Sequence, residues 1–261
     1  MALWSWTLAL IGALAASLAQ AQDRPAFVFT AIPDQDESRL VERFTKVAEQ
    51  LQAKLAVPVK YIPVKSYPAA VTAFTNNQVQ LAWFGGFIAN AKTGLKPTKE
   101  FPKEVAGKSF TFGARASTSG RLMPEFFIRQ AFGGKSPEEI FSRVGFSGDH
   151  SRTIQLVRSG AFEAGVLDYS VWDLDQKAGK VDPTQVSVIW ESPPFPDYQW
   201  TIQGDVDATF GTGFIEKVRT VLLSIDDPAI LGIFGRTKFI PAKNEDYAPI
   251  EEVAKTTGLL N

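Results

Sequence analysis

The pattern of apolar and polar residues along the chain predicts alternating strands and helices. Ala26–Ile32 is an apolar run typical of a buried strand, and it ends at Pro33. An amphipathic helix is predicted next, because apolar residues recur at steps of three and four: Leu40, Phe44, Val47, Leu51 and Leu55. Asp36, Glu37 and Ser38 give this helix an acidic, capping N-terminus.

Two further strands and a short helix follow, and then the pattern is interrupted. Strands are predicted at Val57–Val64 and Val79–Phe84, with a helix at Ala69–Phe74 between them, and this order favours a parallel sheet. Phe87–Asn90 comes directly after Gly85 and Gly86. A parallel crossover needs about a dozen residues. The sequence therefore predicts either a tight reversal here or the loss of a helix.

The second half returns to alternation and predicts a second α/β block. Strands are predicted at Ser109–Gly113, Arg143–Phe146, Ala164–Leu167 and Val186–Trp190, and helices after Ser117-Thr118-Ser119, at 151–158, 170–178, 214–223 and 250–256. Two such blocks favour two lobes. The proline-rich segment 191–197 is a candidate return crossing between them.

The first 21 residues have the pattern of an export signal. Met1–Ala21 has no charged side chain, Leu8–Ala16 is apolar, and Ala19-Gln20-Ala21 matches a small-x-small cleavage site. The n-region lacks the usual Lys or Arg, so an uncleaved membrane anchor is the alternative. The apolar run is alanine-rich and short for a bilayer span of about 20 residues. We expect a periplasmic protein after cleavage.

Composition excludes several kinds of site. The 261 residues include one His and no Cys, which excludes disulfides, thiolate metal sites and cysteine nucleophiles and leaves no His pair for a metal. We therefore expect no metal and no cofactor. The net charge of −1, from 27 basic and 28 acidic residues, argues against nucleic acid as a partner. Any bound anion must be held by local groups.

Ser117, Thr118, Ser119 and Gly120 are the strongest local indication of such groups. They lie between a predicted strand and a predicted helix. The N–H groups at a helix start lack intrahelical partners and carry partial positive charge, and nearby hydroxyls add donors. The alternative is an ordinary N-cap, for which Ser and Thr are favoured in any case.

Other candidate ligand-binding residues follow predicted strands, where ligands gather in open α/β sheets. His150 comes after Ser147-Gly148-Asp149, and Asp149 is expected to cap the next helix. Further candidates at strand ends are Tyr67, Asp197, Trp83, Phe84, Asp168 and Tyr169. Each has a structural alternative: a capping or core His, a packing Tyr, a solvated Asp, core aromatics.

A hydrolase is the competing enzymatic interpretation. Ser117 or Ser119, His150 and Asp168 could form a catalytic triad. However, the chain lacks a G-x-S-x-G elbow, a Walker-A pattern and a G-x-G-x-x-G fingerprint. We therefore favour no catalytic residues.

Five blocks together resemble a known family, the phosphonate/phosphite-type periplasmic binding proteins of ABC transporters, and most of all its branch labelled as selenate binders. In order they are AIPDQDESRL (31–40), VKSYPAAVTAF (64–74), VQLAWFGG (79–86), FTFGARASTSGRL (110–122) and FSRVGFSGDHSRT (141–153). The resemblance covers nearly all of the chain after the signal.

The resemblance implies a two-lobe type II binding-protein fold with a hinge and an interlobe cleft that holds a tetrahedral oxyanion or phosphonate. It implies lobe 1 from 22–88 and 196–261, and lobe 2 from 89–195. It assigns ligand contacts to Tyr67, Ser117, Thr118, Ser119, His150 and Asp197, with Trp83, Phe84, Asp168 and Tyr169 as pocket-wall candidates. It also implies a permease partner and a monomer.

The interruption after Gly86 is a departure from that family. Relatives have a helix-length segment between the Trp-aromatic-Gly block and the strand that Phe87-Ile88-Ala89 represents here. The shorter connection leaves a third interpretation, a non-binding relic or a signalling subunit that keeps the fold without the pocket.

Overall fold

A computed structural model describes most of the chain. The described residues are 25–35, 37–76, 81–82, 88–90, 93–193, 195–196 and 198–258. The predicted export signal, Trp83, Phe84 and Asp197 lie outside them.

The alternation of strands and helices predicted from the sequence is present throughout the described segments. The strands are β1 (Phe27–Phe29), β2 (Val59–Tyr61), β3 (Leu81–Ala82), β4 (Ile88–Asn90), β5 (Ser109–Phe112), β6 (Arg143–Phe146), β7 (Ala164–Gly165), β8 (Val186–Ser187) and β9 (Thr201–Ile202). The helices are α1 (Glu37–Leu55), α2 (Tyr67–Thr75), α3 (Met123–Ala131), α4 (Pro137–Ile140), α5 (His150–Arg158), α6 (Tyr169–Lys177), α7 (Val206–Phe210), α8 (Phe214–Leu223), α9 (Pro228–Leu231) and α10 (Ala248–Thr256). Three 3₁₀ turns lie at Lys103–Val105, Gly232–Phe234 and Asn244–Tyr247.

The first group of elements forms one core around two short strand pairs. β1 pairs with β2 in parallel, with Phe27 opposite Val59, and β3 pairs with β9 antiparallel. The apolar face predicted for α1 is fully buried here: Leu40, Phe44, Val47, Leu51 and Leu55. Side chains from α8 and α9 complete this first core.

The second group is built on a five-stranded sheet in the order β6-β5-β7-β4-β8. β5 is parallel to both β6 and β7, whereas β4 is antiparallel to β7 and β8. One apolar cluster includes Phe110, Phe112 and Ile128, and another includes Ile154, Val157 and Trp172. The sheet therefore has a core of its own, separate from the first one.

The strand pairing bears on the short connection between β3 and β4. β3 and β4 belong to different sheets. The minimum length of a parallel crossover applies only within one sheet, so it places no limit on this connection. The connection itself, residues 83–87, lies outside the described residues, so the tight reversal and the lost helix both stay predictions. The parallel order expected for the first three strands holds for β1 and β2, while β3 has an antiparallel partner.

The C-terminal helix packs against the second group of elements. α10 contacts α3 and the turn Thr118–Leu122 of the second group. Among the described residues, no helix is long and apolar enough to cross a bilayer.

Candidate functional site

The Ser-Thr-Ser segment opens a helix through a π-helical turn, Thr118–Leu122. The N–H groups of Arg121 and Leu122 both donate to the carbonyl of Ser117, at 3.0 and 3.1 Å. Pro124 has no N–H to donate to the carbonyl of Gly120 four residues earlier. That carbonyl instead accepts from the N–H of Gly113 at 2.7 Å, which ties the turn to the end of β5.

Close approach of two backbones fixes the turn in place. A Cβ on Gly120 would lie 3.2 Å from the Cα of Gly113 and 3.0 Å from the Oγ of Ser117. A Cβ on Gly113 would likewise lie 3.1 Å from the Cα of Gly120. Both positions therefore need glycine. Sequence analysis did not identify this pair, although a glycine at the end of a strand and another in the following turn are typical of close backbone contact.

His150 is the first residue of α5 and is fully buried. The prediction that Asp149 caps this helix is confirmed, because its side chain accepts from the N–H of Arg152 at 2.7 Å. The N–H of His150 itself donates to the carbonyl of Asp34 at 3.1 Å. Asp34 follows β1, so this bond joins the first group of elements to the second.

The hydrogen bonds of His150 determine its tautomer. Its Nδ1 accepts from the backbone N–H of Asp168 at 3.3 Å, which leaves the ring proton on Nε2. Burial lowers the pKa of His150 to about 4, although the nearby Asp168 opposes this shift. The ring is therefore neutral at neutral pH, and Nε2–H is a donor.

Tyr67, from the first group of elements, contacts His150. Its hydroxyl oxygen lies 3.3 Å from Nε2 of His150, and it also hydrogen-bonds the Ser117 side chain. Burial, with the nearby Asp34, raises the pKa of Tyr67 well above its usual value, so the phenol stays protonated. Tyr67 opens α2, where Ser66 accepts from the N–H of Ala69 and Pro68 occupies a first-turn position.

Ser119 has a buried hydroxyl with no hydrogen-bond partner among the described residues. Such a group costs about 1–3 kcal/mol, and each one in a native structure calls for an explanation. Ser117 differs, because its Oγ accepts from the N–H of Gly120 at 2.9 Å and so also acts as the N-cap considered in the sequence analysis. We refer below to Tyr67, Ser117, Ser119 and His150 as the donor cluster.

Two acidic residues border the donor cluster. Burial raises the pKa of Asp34 to about 7, while the hydroxyl of Tyr198, which donates to it at 2.9 Å, opposes the shift. Asp168 caps α6, and its carboxylate accepts from the N–H and the hydroxyl of Ser170. Sequence analysis did not select Asp34 or Tyr198, although the position of Asp34 just after β1 could have suggested it.

The remaining sequence candidates do not all join the cluster. Thr118 is half-buried in the π-helical turn, and Tyr169 is 51% exposed. Trp83, Phe84 and Asp197 lie outside the described residues. The catalytic triad is not formed, because His150 Nδ1 faces the Asp168 backbone rather than its carboxylate. No group of three acidic or His side chains in the described part of the chain is placed to hold a metal ion.

Comparison with known proteins identifies the family. The model described as "ABC transporter, phosphonate, periplasmic substrate-binding protein" matches residues 29–98 and 87–247. The chain belongs to this family. This binding protein is 36% identical over 260 residues to a probable ABC transporter phosphite binding protein, PhnD1, of Prochlorococcus marinus, with 86% of this chain and 87% of the relative covered. It is 24% identical over 319 residues to the phosphate-import protein PhnD of Mycolicibacterium smegmatis, with 97% of this chain and 95% of that relative covered.

Solved structures agree with the fold of the binding protein. PhnD1 of P. marinus in complex with methylphosphonate has a TM-score of 0.83 at 33% identity, with 90% of this chain and 99% of that chain covered. A binding component of a phosphonate ABC transporter from Pseudomonas aeruginosa has a TM-score of 0.75 at 17% identity, with 90% of this chain and 87% of that chain covered. At this low identity the similarity supports the fold only. The two-lobe α/β fold expected from the resemblance is confirmed.

Membership of the family decides between binding protein and enzyme. The chain is a substrate-binding protein of the ABC transporter type, not a hydrolase. The geometry of His150 agrees with this, since its Nδ1 has a backbone N–H as partner.

Proposed function

We propose that this chain captures a phosphonate or phosphite anion at the donor cluster, between two lobes, and presents the closed form to the permease of an ABC importer. The observation that carries this proposal is the buried, unpaired hydroxyl of Ser119, in the same turn as Ser117, whose side chain hydrogen-bonds Tyr67 of the first group of elements. A bound anion would supply the missing acceptor.

We assign the lobes from the two cores. Residues 22–87 and 196–247 form lobe 1 in this proposal, and 88–195 form lobe 2, because Ile88 pairs with Gly165 in the second sheet. The family resemblance implies that the whole segment 196–261 belongs to lobe 1. The contacts of α10 with α3 and the π-helical turn favour its assignment to lobe 2 instead.

The donor cluster suits a small tetrahedral anion. Its four side chains are uncharged at neutral pH, and three of them carry hydroxyls. Thr118 and Ser119 occupy the first helical positions, whose N–H groups have no intrahelical acceptor and point toward the N-terminal end. Hydrogen bonds from neutral donors to a charged oxygen strengthen when water is excluded. The bordering Asp34 and Asp168 favour a ligand that is not fully deprotonated.

The relatives support phosphite and methylphosphonate as the first ligands to test, since those words name the P. marinus protein and its complex. Selenate, selenite and phosphate remain in the panel as alternatives. The proposed assignment of Asp197 as a ligand contact and of Trp83 and Phe84 as pocket wall is carried by the family resemblance alone.

Export of the chain to the periplasm agrees with the proposed role as a binding protein. We propose that residues 1–21 are a signal peptide, that the mature chain works in the periplasm, and that it does so as a monomer. Mass spectrometry of the exported protein would give Gln22 as its first residue, and an intact N-terminus in the membrane fraction would contradict the assignment.

A ligand panel tests the proposed function. We expect phosphite or methylphosphonate to raise the melting temperature of the purified chain in a concentration-dependent way, as ligands that bind only the folded state do. Selenate, selenite, phosphate and chloride at equal ionic strength serve as comparisons. A folded sample that responds to none of the oxyanions would contradict the proposal and favour the relic.

A further inference from the structure

One ion pair joins the two groups of elements away from the donor cluster. Nη1 of Arg39 lies 2.8 Å from Oδ1 of Asp175. Arg39 is on α1, whose apolar face belongs to the first core. Asp175 is on α6, where the neighbouring Val171 and Trp172 belong to the second group.

The two partners are removed from water to different degrees. The Asp175 side chain is 7% exposed and that of Arg39 is 27% exposed. The hydroxyl of Ser151, on α5, is 3.5 Å from the other carboxylate oxygen of Asp175. A buried carboxylate loses hydration and needs such partners. Separation of the two groups of elements would return both charges to water and break the pair.

The ion pair is connected to the donor cluster through both elements that carry it. Arg39 lies just after Asp34, whose carbonyl accepts from the N–H of His150 at 3.1 Å. Asp175 lies on the helix capped by Asp168, whose N–H donates to His150 Nδ1 at 3.3 Å. A movement that separates Arg39 from Asp175 would therefore also pull the two groups of elements apart around His150.

We propose that the Arg39–Asp175 pair is a latch that sets the population of the closed form, and thereby ligand affinity, without touching the ligand. This inference rests on the proposed two-lobe closure. Apparent affinity falls in proportion to the fraction of protein in the binding-competent form. The latch residues are positioning residues, so their loss should act on closure and leave the donor cluster intact.

A double-mutant cycle tests the latch through affinity. Arg39→Gln and Asp175→Asn are each expected to weaken methylphosphonate or phosphite binding about tenfold, as a loss of closed population would. The double variant should be no weaker than either single variant, because both remove one interaction. Lys46→Gln is the matched control, since it breaks the Lys46–Glu42 pair within α1. Unchanged affinity in Asp175→Asn, or additive losses in the double variant, would overturn the latch.

An interlobe distance tests the same latch without a ligand. The chain has no native cysteine, so spin labels can be placed at Glu49→Cys on α1 and Gln130→Cys on α3, both exposed in the structure. Asp175→Asn should shift the ligand-free distance distribution toward longer distances, while Lys46→Gln should not. Identical distributions in Asp175→Asn and the parent would overturn the latch. Failure of the parent to bind any anion would instead count against the proposed function, and the distance comparison would still decide the latch.

Discussion

The hydroxyl of Tyr67 lies 3.3 Å from Nε2 of His150, and both residues are almost fully buried. Tyr67 opens a helix of the first group of elements, and His150 opens a helix of the second. Because Nδ1 of His150 is occupied by the Asp168 N–H, the histidine can only donate from Nε2. The contact therefore places two neutral polar groups of defined protonation where the two groups of elements meet.

Tyr67→Phe removes the hydroxyl and keeps the ring. We expect ligand affinity to fall about 2- to 13-fold, which corresponds to the usual net value of about 0.5–1.5 kcal/mol for one hydrogen bond. Calorimetric titration with methylphosphonate or phosphite measures this. Tyr247→Phe, at a half-buried tyrosine of the 3₁₀ turn before α10, is the matched control and should bind like the wild type. A Tyr67→Phe variant with unchanged affinity would exclude the hydroxyl from the ligand site.

Ser119→Ala should separate folding from binding. The Ser119 hydroxyl is buried and without a partner, so its removal should leave the ligand-free free energy of unfolding unchanged or raise it by up to about 1 kcal/mol. Urea unfolding of the ligand-free proteins measures this. A loss of more than 1 kcal/mol would mean that the hydroxyl already stabilises the ligand-free fold, contrary to its assigned role.

His150 should make the ligand-free protein less stable in acid. Its pKa is about 4 when folded, against an ordinary value of 6.5. Between those pH values the unfolded chain binds a proton that the folded chain refuses, so the free energy of unfolding falls as pH is lowered from 6.5 to 4, by up to about 3 kcal/mol. His150→Gln should lack this component. Parallel stability curves of the two proteins from pH 7 to pH 4 would contradict a buried neutral histidine.

Asp34 should make the ligand-free protein less stable as pH rises, which is the opposite of the effect of His150. Its folded pKa is about 7, above its ordinary value of 3.8. The folded chain therefore keeps a proton that the unfolded chain releases, and the free energy of unfolding falls as pH rises from about 4 to 7. Asp34→Asn keeps an acceptor for Tyr198 and removes the titration. The free energy of unfolding of Asp34→Asn minus that of the wild type should be larger at pH 8 than at pH 5. An equal difference at both pH values would show that Asp34 does not titrate in this range.

Gly120→Ala should disturb the π-helical turn directly. The added Cβ would lie 3.0 Å from Ser117 Oγ and 3.2 Å from the Gly113 backbone, so the turn must move away from β5. We expect a loss of about 1–3 kcal/mol in stability, as for overpacking elsewhere, together with weaker ligand binding. Gly232→Ala is the matched control, because an added Cβ there meets open space and the φ of Gly232 is ordinary. Gly133 is unsuitable, since its φ of +66° would strain any other residue. A Gly120→Ala variant as stable as Gly232→Ala would refute the close approach.

The alternation of strands and helices was predictable because each element has a strong local pattern. α1 is the clearest case, with all five predicted apolar positions buried in the first core. The pairing of strands was not predictable in the same way, since β4 and β9 have partners that depend on distant segments rather than on local periodicity. Local periodicity alone therefore did not show that β3 and β4 lie in different sheets.

The candidate site was predictable only in part. Ser117, Ser119, His150 and Tyr67 were found because each follows a strand or opens a helix, and the family resemblance joined them. Asp34 and Tyr198 were missed, because their hydrogen bond joins segments 164 residues apart. The tautomer of His150 also depends on a tertiary contact, the N–H of Asp168, which no local pattern specifies.

Calorimetric titration of methylphosphonate and phosphite into the wild type, Ser119→Ala and Ser159→Ala tests the central claim most directly. Ser159 is an exposed serine at the end of α5, so its variant is the matched control. Ser119→Ala should weaken binding about 10- to 150-fold, the value of about 1.5–3 kcal/mol for a buried hydrogen bond to a charged group, while Ser159→Ala binds like the wild type. Equal affinity of all three proteins would show that the anion is not held at the buried Ser119 hydroxyl.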